Sequence, residues 1–227
     1  HHPGVDNGGP FFCMNPFSSR CCQHNHAMGW PYYSQNLVLA SADGGAACLI
    51  YADCKATLKV ADGQTVTIDE QTHYPFSEDI LLTIGGLKKN QTVSFPLYLR
   101  IPTWTKGAHV TVNGKTIDCQ VHSGLLQIQN EWKNGDEVKL FLPMRLTKRV
   151  WALNKNSVSI NYGPITMSLQ IKERYEQKDS RKTAIGDSHW QEGADASKWP
   201  TFEIYADSPW NYALVENLHS MKVEKQP

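Results

Sequence analysis

From Asn36 onward, short apolar runs alternate with polar, turn-forming residues, and within the runs the apolar positions recur every second residue. That is the rhythm of strands, whose side chains point to opposite faces in turn, and not the 3.6-residue rhythm of a helix. Leu37-Val38-Leu39 leads into Asp43-Gly44-Gly45, and further strands are predicted over residues 48–51, 56–60, 65–68, 80–84, 92–101, 108–112, 116–121, 125–128 and 137–142. Asp62-Gly63 separates two alternating runs and predicts a hairpin; Asn113-Gly114 and Asn134-Gly135 mark tight turns, because Asn and Gly tolerate positive φ. After Pro143-Met144 the strands resume at 147–151, 158–161 and 165–171, and, beyond a polar stretch over 177–198, at 202–205 and 212–215. Only residues 171–178 carry a weak helical spacing, and residues 1–33, rich in Gly, Pro, Asn, Phe and Cys, carry neither period. The pattern therefore predicts an all-β chain of two β-sandwich units. An irregular segment occupies residues 1–35, a first sandwich residues 36–144, and a second, incomplete one residues 145–227.

Composition narrows the function. Among 227 residues, 22 Lys and Arg balance 22 Asp and Glu, and charged residues make up 19 %, so nothing attracts a nucleic acid or an anionic membrane. No run of about 18 apolar residues occurs, and His1 to Pro10 lack the regions of a signal peptide. Without an initiator Met, and with an arbitrary-looking end at Pro227, the chain reads as part of something longer, though His1-His2 equally fits a tag. Of the six cysteines, Cys21 and Cys22 are adjacent and a disulfide between them would be strained; Cys48 and Cys54 lie in strand-like runs and are expected as small core residues. The sequence does not choose between a bacterial periplasm and a cytoplasm.

The densest chemistry is Arg20-Cys21-Cys22-Gln23-His24-Asn25-His26. Two thiols and two imidazoles suit zinc, which binds both, but adjacent cysteines need partners from elsewhere to complete a tetrahedron. A neighbouring cation or a metal would lower the thiol pKa and make one cysteine a nucleophile. The other reading is that the thiols are packing residues and the histidines hydrogen-bonded loop residues. His24 and His26 are low-ranked candidates for contacting substrate. Trp30, Tyr32 and Tyr33 could stack on a sugar but are more simply packing residues. Asp69-Glu70 and Glu78-Asp79 are acidic pairs whose adjacent members point to opposite faces, which predicts solvated edges.

Cys21-Cys22-Gln23-His24-Asn25 resembles the Cys-Cys-x-x-Asn signature of the bacterial β-L-arabinofuranosidase family, the zinc-dependent cysteine glycosidases. Leu97-Tyr98-Leu99-Arg100-Ile101-Pro102-Thr103-Trp104 is similar to that family's Leu-x-Leu-Arg-Ile-Pro-x-Trp segment. Val110-Thr111-Val112-Asn113-Gly114, Gly135-Asp136-Glu137-Val138 through Leu142-Pro143-Met144, and Tyr162-Gly163-Pro164 follow in the family's order. Gln23 and His24 stand where the family has two prolines, the mark of a divergent branch. The resemblance implies that residues 1–35 are the C-terminal end of an (α/α)₆-barrel catalytic domain, followed by the sandwiches. It implies Cys21 as nucleophile and zinc ligand and Cys22 as a second ligand, with the acid/base Glu and the remaining ligands, a Glu and a Cys, upstream of residue 1. Cys13 is then structural. The implied parent is a retaining hydrolase of β-L-arabinofuranosides or related plant glycans, with Zn²⁺, a glycan substrate and its own upstream barrel as partners. The isolated chain is expected to be inactive. The alternative is a non-catalytic carbohydrate-binding or structural sandwich module.

Overall fold

A computed structural model describes residues 11–13, 22–118, 120–179, 195–198, 200–214, 218 and 221–224. Strand β1 (Phe11–Cys13) and helix α1 (Cys22–Gln35) come first. Then follow β2 (Val38–Ala40), β3 (Ala46–Cys48), β4 (Cys54–Val60), β5 (Gln64–Thr72), β6 (Asp79–Gly85) and β7 (Thr92–Arg100). Next come β8 (His109–Val112), β9 (Lys115–Ile117), β10 (Val121–His122), β11 (Leu125–Lys133) and β12 (Glu137–Phe141). The last five are β13 (Leu146–Trp151), β14 (Ser157–Tyr162), β15 (Ile165–Met167), β16 (Glu173–Lys178) and β17 (Thr201–Ala206). The chain is all-β apart from α1 and short 3₁₀ segments among the described residues, and no described helix is long and apolar enough to cross a membrane.

The first sandwich joins a five-stranded sheet, ordered β10-β11-β7-β3-β2, to a six-stranded sheet, ordered β4-β5-β6-β12-β8-β9. All ladders are antiparallel except β3 on β7. Alternation explains the core directly. Val66 and Ile68 of β5, Ile80, Leu82 and Ile84 of β6, and Val138 and Leu140 of β12 face inward from one sheet. Phe95, Leu97 and Leu99 of β7 meet them from the other, with Leu126, Ile128 and Trp132 of β11, in one buried cluster. Trp132 is fully buried, lies 5.8 Å from the Phe95 ring, and satisfies its indole N–H by donating to the Phe95 carbonyl at 2.9 Å.

The predicted turns form as the residues require. β4 and β5 pair across Asp62-Gly63, where Gly63 has φ 84°; β8 and β9 pair across Asn113-Gly114, with φ 50° and 77°, the paired positive values of a primed turn. Gly45 is needed for a different reason: a β-carbon there would lie 2.3 Å from the Pro96 carbonyl oxygen.

Contacts divide the chain into two units, residues 1–32 with 169–215 and residues 33–168 with 216–227. Within the second unit, β13, β14 and β15 form a three-stranded sheet in which Leu146, Val150, Val158, Ile160, Tyr162, Ile165 and Met167 share one face. Within the first, β1, β17 and β16 form another, whose polar face ties Lys178 to Glu203 at 2.9 Å and to Glu176 at 3.0 Å.

Four local expectations are corrected. Residues 22–35, read as irregular, are helical; α1 has no apolar stripe and contains Pro31, so the spacing signal of a helix is missing. Residues 171–178 hold strand β16 and no helix, because β17 supplies a ladder partner that local spacing cannot reveal. Residues 116–121, expected as one strand, split into β9 and β10, which belong to different sheets. Residues 212–214 are in no strand.

The core makes a direct prediction. Trp132→Ala removes the largest fully buried side chain and orphans the Phe95 carbonyl, so urea unfolding should show a loss of roughly 3–5 kcal/mol, with the m-value retained.

Candidate functional site

The structure reaches only part of the predicted cluster. Cys21 lies outside the described residues, as do Cys13's side chain and the side chains of residues 22–26. What is described is backbone: Cys22 is the first residue of α1, and positions 22 and 26 lie about one turn apart while His24 falls between them. The first turn of a helix leaves backbone N–H groups without intrahelical acceptors and carries the positive end of the helix dipole, an environment that favours an anion. Farther along α1, Trp30, Tyr32 and Tyr33, expected as packing residues, are exposed at 61 %, 64 % and 41 %.

The described residues do form a polar cleft of about 600 Å³ over the β4-β5-β6 end of the sandwich, with Asp53, Asp69, Asp79 and His73 on its wall beside Cys54 and Glu70. Two of these carboxylates accept hydrogen bonds, Asp53 from the backbone and Asp69 from a side chain. Thr72 N–H donates to Asp53 Oδ1 at 2.6 Å, and Gln71 Nε2 donates to Asp69 Oδ1 at 3.3 Å.

Glu70 overturns the expectation of a solvated edge. It is only 1 % exposed, because it continues the inward series Val66, Ile68, Glu70 on β5. Its Oε1 accepts the Ala52 N–H at 2.9 Å, and its buried Oε2 has no hydrogen-bond partner. Burial pushes the carboxyl up to about 8; the Ala52 N–H opposes that shift and nearby Asp53 adds to it. The signal was available: a strand prediction carried two residues past Ile68 places Glu70 on the core face.

Cys48 is a buried core residue, as expected; Cys54, opposite Glu70 in the β4-β5 ladder, is instead half-buried on the cleft wall, and both are free thiols. Burial raises the Cys54 thiol to about 11, helped by Glu70, Asp69 and Asp53, and holds that of Cys48 well above its ordinary value, helped by Glu70 and Cys54. The adjacent carboxylates Asp69 and Glu70 point to opposite sides of β5, so they do not form an acid/base pair flanking one bond. Among the described residues no group of three or more His, Cys, Asp or Glu side chains is placed to hold a metal ion.

A second cleft of about 440 Å³, lined by Asn113, Gln127, Gln129 and Asn130 with Lys115, opens between the sheets. Asn113 is occupied there: its Nδ2 donates to Asp136 Oδ1 at 3.0 Å and its Oδ1 accepts the Glu137 N–H at 2.9 Å.

The sandwich that carries both clefts corresponds to a known domain. The family model described as the β-L-arabinofuranosidase GH127 middle domain matches residues 45–144. Residues 45–144 are thus similar to the GH127 middle domain. Solved structures agree on the fold of this region. A GH127 β-L-arabinofuranosidase from Geobacillus stearothermophilus T6 is 22 % identical with a TM-score of 0.58, over 81 % of this chain and 34 % of that one. A glycoside hydrolase is 24 % identical with a TM-score of 0.50, over 56 % of this chain and 21 % of that one. A GH127 β-arabinofuranosidase is 23 % identical, also at 0.50, over 63 % and 27 %. The chain thus spans between about a fifth and a third of the length of these structures. No curated protein matches it.

Burial and neighbouring carboxyl groups favour the protonated form of Cys48 and Cys54. Since a rise from the ordinary thiol value to about 11 leaves on the order of a hundredfold less thiolate at neutral pH, Cys54 should react with iodoacetamide about that much more slowly than a solvent thiol. Peptide mapping after timed alkylation at pH 7.5 reads this, and a rate equal to the solvent thiol's would contradict it.

Proposed function

We propose that this chain is part of a retaining glycoside hydrolase that cleaves β-L-arabinofuranosides or related plant glycans, with Cys21 as nucleophile. The observation that carries the reading is a conjunction: residues 45–144 match the middle domain of β-L-arabinofuranosidases, and a Cys-Cys-x-x-Asn motif stands immediately upstream at Cys21 to Asn25. The start of α1 at Cys22 supports it, because the first turn of a helix favours a thiolate close by.

Zinc fits this motif in kind, since Cys21 and Cys22 would offer it two sulfur donors. The count is not complete among the described residues, where no group of three or more ligands is placed to hold a metal, so its other donors would come from elsewhere in a longer protein. When bound, zinc would hold the thiol as thiolate near neutral pH. The Cys21 sulfur would attack the anomeric carbon, forming a C–S bond as the bond to the leaving oxygen breaks, while a carboxylic acid protonates that oxygen. Water, deprotonated by the same carboxylate, would then displace the sulfur, and two inversions retain the configuration. The described carboxylates are poor candidates for this acid: Asp53 and Asp69 hold backbone or side-chain groups and Glu70 is sealed in the core, so the upstream barrel is its expected source. His24 and His26 would lie near the sugar.

Hydrolysis of 4-nitrophenyl β-L-arabinofuranoside tests the proposal. The 227-residue chain alone should give no turnover, and a longer protein containing it should bind zinc and lose activity on the order of a thousandfold or more in Cys21→Ser. A metal-free longer protein with no turnover but saturable glycan binding by the sandwiches would overturn it in favour of a binding module.

A further inference from the structure

The passage from β3 to β4, residues 49–53, carries the chain from one sheet of the sandwich to the other. Such a crossing exposes backbone polar groups near the core, and each must find a partner. Arg100 Nε donates to the Leu49 carbonyl, and the Tyr51 hydroxyl donates to the Arg100 carbonyl at 2.6 Å, with the guanidinium 5.7 Å from the centre of the Tyr51 ring. Asp53 Oδ1 accepts the Thr72 N–H at 2.6 Å. The Leu49 N–H donates to the Leu37 carbonyl at 3.3 Å, and the Ala52 N–H donates to Glu70 Oε1 at 2.9 Å, a tie that alone relies on a buried carboxyl whose second oxygen has no partner.

We propose that Glu70 is a proton-operated latch: its neutral carboxyl closes residues 49–53 over the core, and its ionisation favours opening of that crossing beside the β4-β5-β6 cleft. The groups around it leave an anion uncompensated. Cys54 faces it from β4, Cys48 from β3, and Tyr51 and Asp53 from the crossing, and none of these is a cation. Leu82, its ladder neighbour on β6, is apolar. Arg100 spends its guanidinium on the Leu49 carbonyl and the Tyr51 ring. Asp69 and Gln71, beside Glu70 on β5, project to the opposite face, on the cleft side with His73 and Asp79. An ionised Glu70 would therefore carry charge in the core, with one of its oxygens lacking any donor.

The sign follows from linkage. Closed, the carboxyl titrates near 8; open and wet, it returns to its ordinary value near 4.5. Protonation thus stabilises the closed form fully below about 4.5, the advantage shrinks by a factor of about ten per pH unit up to about 8, and above that it is gone. Corrected for intrinsic exchange, hydrogen-exchange protection of the Ala52 amide should fall on the order of fiftyfold between pH 6 and pH 8, and then level off. The Leu97 amide, in the central strand β7, should not follow.

The experiment is amide exchange on the full chain from pH 5 to 9, in wild type and in Glu70→Gln, with the Glu70 carboxyl followed by ¹³C NMR. A flat Ala52 profile in Glu70→Gln and a falling one in wild type support the latch. It is overturned if wild-type protection is constant, if Glu70→Gln falls equally, if Leu97 falls together with Ala52, or if the Glu70 carboxyl titrates below pH 5. Should Glu70→Gln fail to fold, wild type decides alone: levelling of Ala52 protection must coincide with the carboxyl midpoint, and separate values sink the idea.

Discussion

A sandwich hides one face of each sheet, and every connection that passes between the sheets must satisfy its backbone groups close to a core from which water is excluded. The apolar alternation supplies the driving force, but the crossings decide whether it can be used. At the β11-β12 crossing, Asp136 is 3 % exposed and uses both oxygens: Oδ2 accepts the Lys133 N–H at 2.9 Å and Oδ1 accepts Asn113 Nδ2 at 3.0 Å. Its backbone carbonyl accepts the Ile84 N–H at 2.9 Å, so one residue joins β6, β8 and the β11-β12 turn. Asn134 clamps Leu87 from both sides, accepting its N–H at 2.9 Å and donating to its carbonyl at 2.7 Å. Thr105 donates its hydroxyl to the Pro143 carbonyl at 3.1 Å. Removing a buried acceptor such as Asp136 would leave donors unpaired, a larger cost than the net gain of making the bonds.

These corners are where the family resemblance lies. Arg100, in the Leu97 to Trp104 segment, holds the Leu49 carbonyl; Asn113 opens the β8-β9 turn; Asp136 fastens that turn to β12. Each is explained by the sandwich alone. The match over residues 45–144 therefore speaks for an architecture, and fold by itself does not specify chemistry. The chemical argument rests on a separate short stretch, Arg20 to His26, that the sandwich does not require.

How far the sequence could be read follows the same division. Strands with one buried face announce themselves through alternation, and hairpins through Asp62-Gly63 and Asn113-Gly114, because both signals are local. The split of residues 116–121 between β9 and β10 is invisible because it depends on which sheet each half joins, a non-local choice. Helix α1 escaped notice because its residues from Ala27 onward are exposed on every side, leaving no stripe to detect. Glu70 was misread because charge was weighed above position: its parity with Val66 and Ile68 puts it inside, whatever its side chain. In the candidate site itself, the residue types of Cys21, Cys22, His24 and His26 were legible and their geometry was not, since local spacing does not say which distant segments meet a motif.

The cysteines show how the fold sorts chemistry by position. Cys48 and Cys54 sit where burial raises the cost of a negative sulfur, with Glu70 adding to it at both and Asp69 and Asp53 at Cys54, so these two thiols favour the neutral form. Cys22 is by contrast the first residue of α1, where backbone N–H groups lack intrahelical acceptors. A cysteine nucleophile must be a thiolate when the substrate arrives, and neither Cys48 nor Cys54 is placed to be one. At the sandwich end around Glu70, burial and neighbouring carboxyl groups raise the pKa of each thiol, so position there works against ionisation whatever the residue type offers.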